Sequence, residues 1–209
     1  MPRQSRKLLK ISEVAKSAGV LPSTIRYYTD IGILKAESET PGGHRLYDGD
    51  AALSTVKRVQ FMSQQGRTMD EIKKELAVSV GTKKILVIDD EPEVGRLIEE
   101  VSGGYSGRLE VKVVYDGFSA GRILSEYLPD LIILDLMLPG VNGFEVCKQI
   151  RSSQYLNGVK ILAVTGYDSP DNKKRILECG ATDYLPKPMD VETIRRKISE
   201  LTGIKTDKI

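Results

Sequence analysis

Two rhythms of apolar and polar positions divide this 209-residue chain. In the C-terminal part, short unbroken apolar runs recur: Ile85–Ile88, Leu131–Leu134, Ile161–Val164 and, more weakly, Tyr184–Leu185. Runs this short, rich in branched residues and closed by a polar residue, read as strands buried on both faces. They predict strands near 84–89, 110–115, 130–135, 160–165 and 182–186. The intervening stretches carry helical periodicity and predict helices near 92–102, 117–127, 142–152, 170–179 and 190–202. Asp116-Gly117, Pro129-Asp130 and Asn157-Gly158 mark the joins with turn-forming pairs. Five strand–helix alternations imply a doubly wound parallel sheet with helices on both faces.

The first 80 residues follow another pattern. "SEVAKSAG" places Val14, Ala15 and Ala18 on one helical face, with Ser12 as the expected N-cap and Gly19 as the stop. Pro22 then sits where a second helix begins, running through "STIRYYTDIG". Two short helices joined by a tight turn form a helix-turn-helix, the second helix being the reader. "LKAESETPGGHRLYD" supplies two extended pieces around Pro41-Gly42-Gly43, a hairpin-like wing. Two further helices follow in "DGDAALSTVKRVQFMSQQG" and "TMDEIKKEL", opened by Asp and Thr.

Charge sharpens this division. Residues 1–80 hold 13 Lys/Arg against 9 Asp/Glu, whereas residues 81–209 hold 18 against 20. The basic part is the one expected to meet a polyanion. The two cysteines, Cys147 and Cys179, lack metal or disulfide spacing and read as small buried hydrophobes of a reducing compartment. No apolar run approaches the roughly 20 residues of a membrane span. "MPRQSRKLLK" lacks the apolar stretch of a signal peptide and reads as a short mobile arm. The expectation is a cytoplasmic protein with no membrane contact.

The chemistry sits at the strand ends. Asp89-Asp90, Asp135, Thr165 and Lys187 each follow a predicted strand, and in a parallel sheet the carboxyl ends share one ligand-binding edge. Three carboxylates repel one another unless a cation lies among them, and an all-oxygen set suits Mg²⁺. A hydroxyl and an ammonium beside them would serve a transferred phosphoryl group. Asp135 is then the candidate nucleophile.

Over about 83–201 the chain resembles the response-regulator receiver domain. The resemblance rests on "KILVIDDEP", "PDLIILDLMLPGVNGFEVCKQIR", "ILAVTG" and "ECGATDYLPKP". It implies that Asp135 is the phosphoacceptor, Asp90 a direct Mg²⁺ ligand and Asp89 the outer acid. The Met137 backbone carbonyl would be a further metal ligand. Thr165 would follow the phosphoryl group, Tyr184 would be the switch aromatic, and the Lys187–Pro188 peptide would be cis. Over about 8–76 the chain resembles the MerR-family winged helix-turn-helix, through "ISEVAKSAGV", "TIRYYTDIGIL", "GGHRLYD" and "FMSQQGRTMDEIKKEL". This resemblance places Ser23, Thr24, Arg26 and Tyr27 on the recognition helix and Arg45 and Tyr47 in or beside the wing. Tyr28 reads as core, and His44 as either a turn residue or a phosphate contact.

The expected organisation is a basic arm (1–7), a winged helix-turn-helix domain (8–78), a linker (79–82), a receiver (83–203) and a tail (204–209). MerR-family proteins usually continue into a long dimerising coiled coil. Only "AVSVGTKK" separates Leu76 from the first receiver strand, and no heptad repeat fits there. The resemblances together imply a regulator rather than an enzyme: phosphorylation of Asp135 modulates DNA binding and transcription. The implied partners are double-stranded DNA and a sensor histidine kinase or phosphotransfer protein. RNA polymerase and a phosphorylation-promoted homodimer are further candidates. Two other readings stay open here: a phospho-dependent protein-interaction adaptor, and a ligand-sensing MerR-type regulator with a pseudo-receiver. Against the latter, the only histidine, His44, lies in the wing, and no GxGxxG follows the first receiver strand.

Overall fold

The computed structural model describes residues 7–78, 81–156 and 158–205. Nearly all of the expected arm (1–6), half of the linker (79–80), Asn157 and most of the tail (206–209) lie outside the described residues. The chain separates into two compact units, 1–80 and 81–209.

The first unit begins with a strand that the sequence pattern did not announce. β1 (Leu8–Lys10) pairs antiparallel with β3 (Arg45–Asp48), which also pairs with β2 (Ser38–Glu39). Residues 8–10 are therefore the edge of a three-stranded sheet and not part of an arm. Helix α1 (Ile11–Ala18) also starts earlier than expected. Its N-cap is Lys10, whose backbone N–H donates to the Glu13 carboxylate at 2.7 Å, so Ser12 already lies within the helix. Gly19, at φ 65°, closes the helix in a conformation that side chains with a Cβ resist. α2 (Pro22–Asp30) opens with Pro22, whose missing N–H costs nothing in the first turn. α3 (Gly49–Gln64) is capped by Asp48, which accepts from the Ala51 N–H, and α4 (Met69–Val78) by Thr68, which exchanges bonds with Glu71. Val14, Ile25, Tyr47, Val56, Val59 and Ile72 are fully buried and make the core of this unit.

The second unit is a five-stranded parallel sheet. Its strands are β4 (Lys83–Ile88), β5 (Leu109–Val114), β6 (Leu131–Asp135), β9 (Lys160–Thr165) and β10 (Asp183–Pro186), in spatial order β10-β9-β6-β4-β5. Alternate residues of each run face opposite sides, and both sides are covered. Leu86, Ile88, Ile132, Leu134, Ile161 and Ala163 pack towards α6 (Gly117–Leu124), α7 (Gly143–Ser152) and α8 (Pro170–Glu178). Ile85, Val87, Leu131, Ile133, Leu162 and Val164 pack towards α5 (Pro92–Gly103) and α9 (Val191–Thr202). Double burial is why these strands read as unbroken apolar runs. Asp116, Asn142, Ser169 and Asp190 cap α6, α7, α8 and α9 through their side-chain oxygens.

A small hairpin, β7 (Met137–Leu138) with β8 (Val141–Asn142), turns at Pro139-Gly140 directly after β6. It is followed at once by Gly143, where an added Cβ would sit 2.3 Å from the Asp135 carbonyl oxygen. The absence of a side chain there lets the start of α7 lie against the end of β6. The strand order changes direction between β4 and β6, and a doubly wound sheet opens its ligand crevice at that switch point. Asp89, just past β4, and Asp135, closing β6, stand on its two sides.

Candidate functional site

β4 ends at Ile88, so Asp89 and Asp90 emerge at the crevice, the first buried and the second exposed. Asp135 is the final residue of β6 and is only 3% exposed. Carboxylate oxygens of Asp89, Asp90 and Asp135 lie within 4.8 Å of one another. Thr165 ends β9 on the same sheet edge; it is buried, and its hydroxyl accepts from the Tyr167 N–H at 3.2 Å. Lys187 follows β10, its N–H donating to the Thr165 carbonyl at 2.8 Å, and the Lys187–Pro188 peptide is cis.

Lys187 crosses the crevice. Its ammonium donates to Asp89 Oδ1 at 3.1 Å, to Asp135 Oδ2 at 3.0 Å and to Glu91 Oε1 at 2.9 Å. An ammonium has three donors, so this set uses all of them. Burial dominates at Asp89, lifting its carboxyl to about 6 despite the bonds from Lys187 and from the Glu91 N–H. At Lys187 burial works against the charge, but the bonds to Asp89, Glu91 and Asp135 outweigh it and hold the ammonium above its ordinary range.

The donor set suits a hard divalent cation. The acids offer only oxygens, one of the three is solvent-facing, and Asp89 Oδ2 is buried without a hydrogen-bond partner among the described residues. Lys187 Nζ lies 2.9 Å from that oxygen, yet its bond is directed at Oδ1. A single ammonium for four nearby carboxylates, counting Glu91, leaves the cluster short of positive charge. Met137 is exposed at the crevice rim, and its N–H donates to Asp135 Oδ1 at 3.1 Å, which fixes the carboxylate.

Tyr184 points inward, only 6% exposed, and its hydroxyl donates to Asp168 Oδ1 at 3.2 Å. Burial raises the phenol above its ordinary value, and the bond to Asp168 adds to the shift. Neither Asp168 nor Glu91 was singled out from the sequence. Glu91 could have been, since it directly follows the acidic pair; nothing in the sequence marks Asp168 as the partner of Tyr184.

The first unit has its own groove, of about 600 Å³, lined by Lys10, Ser12, Arg26, Asp30, His44 and Arg45 among others. Arg26, His44 and Arg45 thus converge from helix and wing. Ser23 and Tyr27 are exposed on α2 and Thr24 is half-buried, and none of these lines the groove. Arg45 bonds Asp30 at 3.0 Å. Tyr47 is a correction: it is fully buried, and its hydroxyl pairs with the Thr29 hydroxyl at 2.9 Å. As the inward residue of β3 it holds the wing to α2 from within, and no face of it is left for DNA.

A parallel sheet with acids gathered at its switch point and a lysine reaching across defines the receiver class of α/β domain. The family model described as "Response regulator receiver domain" matches residues 85–199, more than half of the chain, and the chain belongs to that family. The model described as "MerR HTH family regulatory protein" matches residues 9–78, so a MerR-type helix-turn-helix is fused to the receiver. The chain is 35% identical over 129 residues to the "DNA-binding dual master transcriptional regulator RpaA" of Synechocystis, covering 60% of this chain and 51% of that protein. It spans about half, or less, of the length of the curated relatives it matches. Among solved structures, the signal receiver domain of a DNA-binding response regulator (merR) from Colwellia psychrerythraea 34H superposes with a TM-score of 0.55. It is 30% identical, and the match covers 58% of this chain and 98% of that one. The receiver domain of the sensor histidine kinase PA1611 from Pseudomonas aeruginosa, 27% identical with a TM-score of 0.52, carries a magnesium ion in its active-site cleft; 58% of this chain and 98% of that one are covered. Among the described residues no helix is long and apolar enough to cross a membrane.

Proposed function

We propose that this chain is a two-component transcription regulator in which phosphorylation of Asp135 modulates DNA binding by the winged helix-turn-helix. The observation that carries the reading is the Lys187 ammonium bonded to both Asp89 and Asp135 beside an acid trio, in a chain whose other unit is a MerR-type DNA-binding fold. In this reading the DNA-binding domain spans 8–78 and the receiver 83–203. The donor is a phosphohistidine on a sensor kinase or phosphotransfer protein, because the lone histidine of this chain, His44, lies in the wing. An Asp135 oxygen attacks phosphorus in line as the P–N bond breaks, and the departing imidazole takes up a proton. Asp89, Asp90, Asp135 and the Met137 carbonyl would hold Mg²⁺, which when bound supplies neutralising charge to the phosphoryl oxygens. Lys187 offers a donor to the new phosphoryl group, Thr165 follows it by hydrogen bond, and Tyr184 reports the change at the surface.

In the first unit, Arg26 and Arg45 supply base-edge or phosphate contacts on double-stranded DNA, with His44, Ser23, Thr24 and Tyr27 beside them. The site of action is the cytoplasm, with RNA polymerase and a phosphorylation-promoted homodimer as further partners. Acetyl phosphate with Mg²⁺ should add one hydroxylamine-sensitive phosphoryl group, read by intact-protein mass spectrometry, and Asp135→Asn should abolish it. Label retained in that variant would move the acceptor elsewhere.

A further inference from the structure

Lys187 spends its three donors on three carboxylates that differ sharply in burial. The Asp89 and Asp135 side chains are 0% and 4% exposed, whereas the Glu91 side chain is 56% exposed. Phosphorylation turns the Asp135 carboxylate into an acyl phosphate, so the donor now on Asp135 passes to its phosphoryl oxygens, and a second bond to that dianionic group needs a donor held by Asp89 or Glu91. Release of Asp89 would strip a fully buried carboxylate of its ammonium, at a desolvation cost that no water relieves. Release of Glu91 costs little, because water takes over a half-exposed side chain.

We propose that Glu91 is a positioning residue that holds Lys187 in the unphosphorylated receiver and yields its place to the phosphoryl group. The inference rests on the receiver reading given above. Glu91 is well placed for such an exchange. It is the residue immediately before α5, its backbone N–H is anchored to Asp89 Oδ1 at 3.0 Å, and its side chain makes no capping bond. The side chain can therefore swing out while the backbone stays. Its position also sets the sense of the effect: Glu91 competes with the phosphoryl group for Lys187, so its removal favours the phosphorylated form.

The test uses the full chain with Mg²⁺ and beryllofluoride, a mimic of the phosphoryl group, titrated by calorimetry. Glu91→Ala should tighten beryllofluoride binding by roughly two- to fivefold, the span that an exposed ion pair commands. Glu91→Gln, which keeps an acceptor oxygen but no charge, should fall between this variant and the wild type. Glu93→Gln is the control for bulk charge: Glu93 lines the same groove, of about 380 Å³, but pairs with Arg96 and not with Lys187. It should match the wild type once salt screens long-range attraction. Equal affinities for Glu91→Ala and wild type, or an equal gain in Glu93→Gln at high salt, would overturn the exchange role. A wild type that neither binds beryllofluoride nor takes phosphate from acetyl phosphate would overturn the receiver reading itself, and this proposal with it.

Discussion

At the scale of single residues, the crevice is governed by one lysine. The carboxylates at the strand ends were legible because each interrupts an apolar run, and the lysine because it precedes Pro188 directly after a strand. Glu91 on Lys187 was missed although it directly follows the acidic pair, whereas Asp168 on Tyr184 was not legible, since loop geometry leaves no period in a sequence. Lys187→Met should show what the ammonium contributes. Removing one partner of a buried ion cluster costs about 3–5 kcal/mol. The loss should depend on pH. Asp89 already titrates at about 6 against an ordinary 3.8, and without the ammonium its folded value rises further. Between the unfolded and folded values the folded chain then binds more protons than the unfolded chain, so stability falls as pH rises through that window. The variant should therefore be least stable near about pH 7.5 and recover part of the loss near about pH 5. Urea unfolding at both pH values without divalent cations checks this, and an equal loss at both would count against the assignment.

Among the elements, the five parallel strands and their helices were readable because double burial demands continuous apolar runs, and the Asp116-Gly117 turn pair marked the join where Asp116 caps α6. The short pieces were not readable. β1 is three residues with a single buried side chain, Leu9, and its strand character comes from pairing with β3. The β7–β8 hairpin has two residues per arm, below the length at which alternation is visible. The resemblance placed Tyr47 in or beside the wing, but its side chain is buried against Thr29, whereas Arg45, two residues earlier on the same strand face, is half-buried and pairs with Asp30. The groove between α2 and the wing accordingly rests on Arg26 and Arg45. Arg26→Ala should cost about 1–3 kcal/mol and relax specificity at one base position if it reads a base edge. Arg45→Ala should weaken all sequences alike and reduce the salt slope by about one. Salt titrations on the operator and on random DNA separate the two outcomes, and binding indifferent to both changes would remove this groove from the DNA interface.

For the whole molecule, the decisive feature is what stands between the two units. α4 ends at Val78 and β4 begins at Lys83, so no coiled coil can pair two copies at that point. A single winged helix-turn-helix is a small reader, and non-specific affinity at physiological salt is typically about 10⁻⁴–10⁻⁶ M. Linking two such readers can add roughly 10²–10⁴ in affinity without new contacts. Among the described residues, the receiver offers a surface that could link them. Tyr184 lies on β10, its hydroxyl reaches the loop before α8, and Leu177 of α8 and Val191 of α9 are exposed. A shift of Tyr184 on phosphorylation would act on the face formed by α8, β10 and α9. The expected outcome is a weakly associating chain that forms a symmetric dimer through this face when phosphorylated. An allosteric coupling of about 1–3 kcal/mol corresponds to a dimerisation constant tightened roughly 5- to 150-fold. Sedimentation with and without beryllofluoride and Mg²⁺ measures it directly. Leu177→Glu should abolish the gain while leaving beryllofluoride binding intact, because Leu177 is exposed on α8 and is not one of the residues that form the acid trio. Identical dimerisation constants in the two states would mean that phosphorylation reaches the DNA by a route other than pairing.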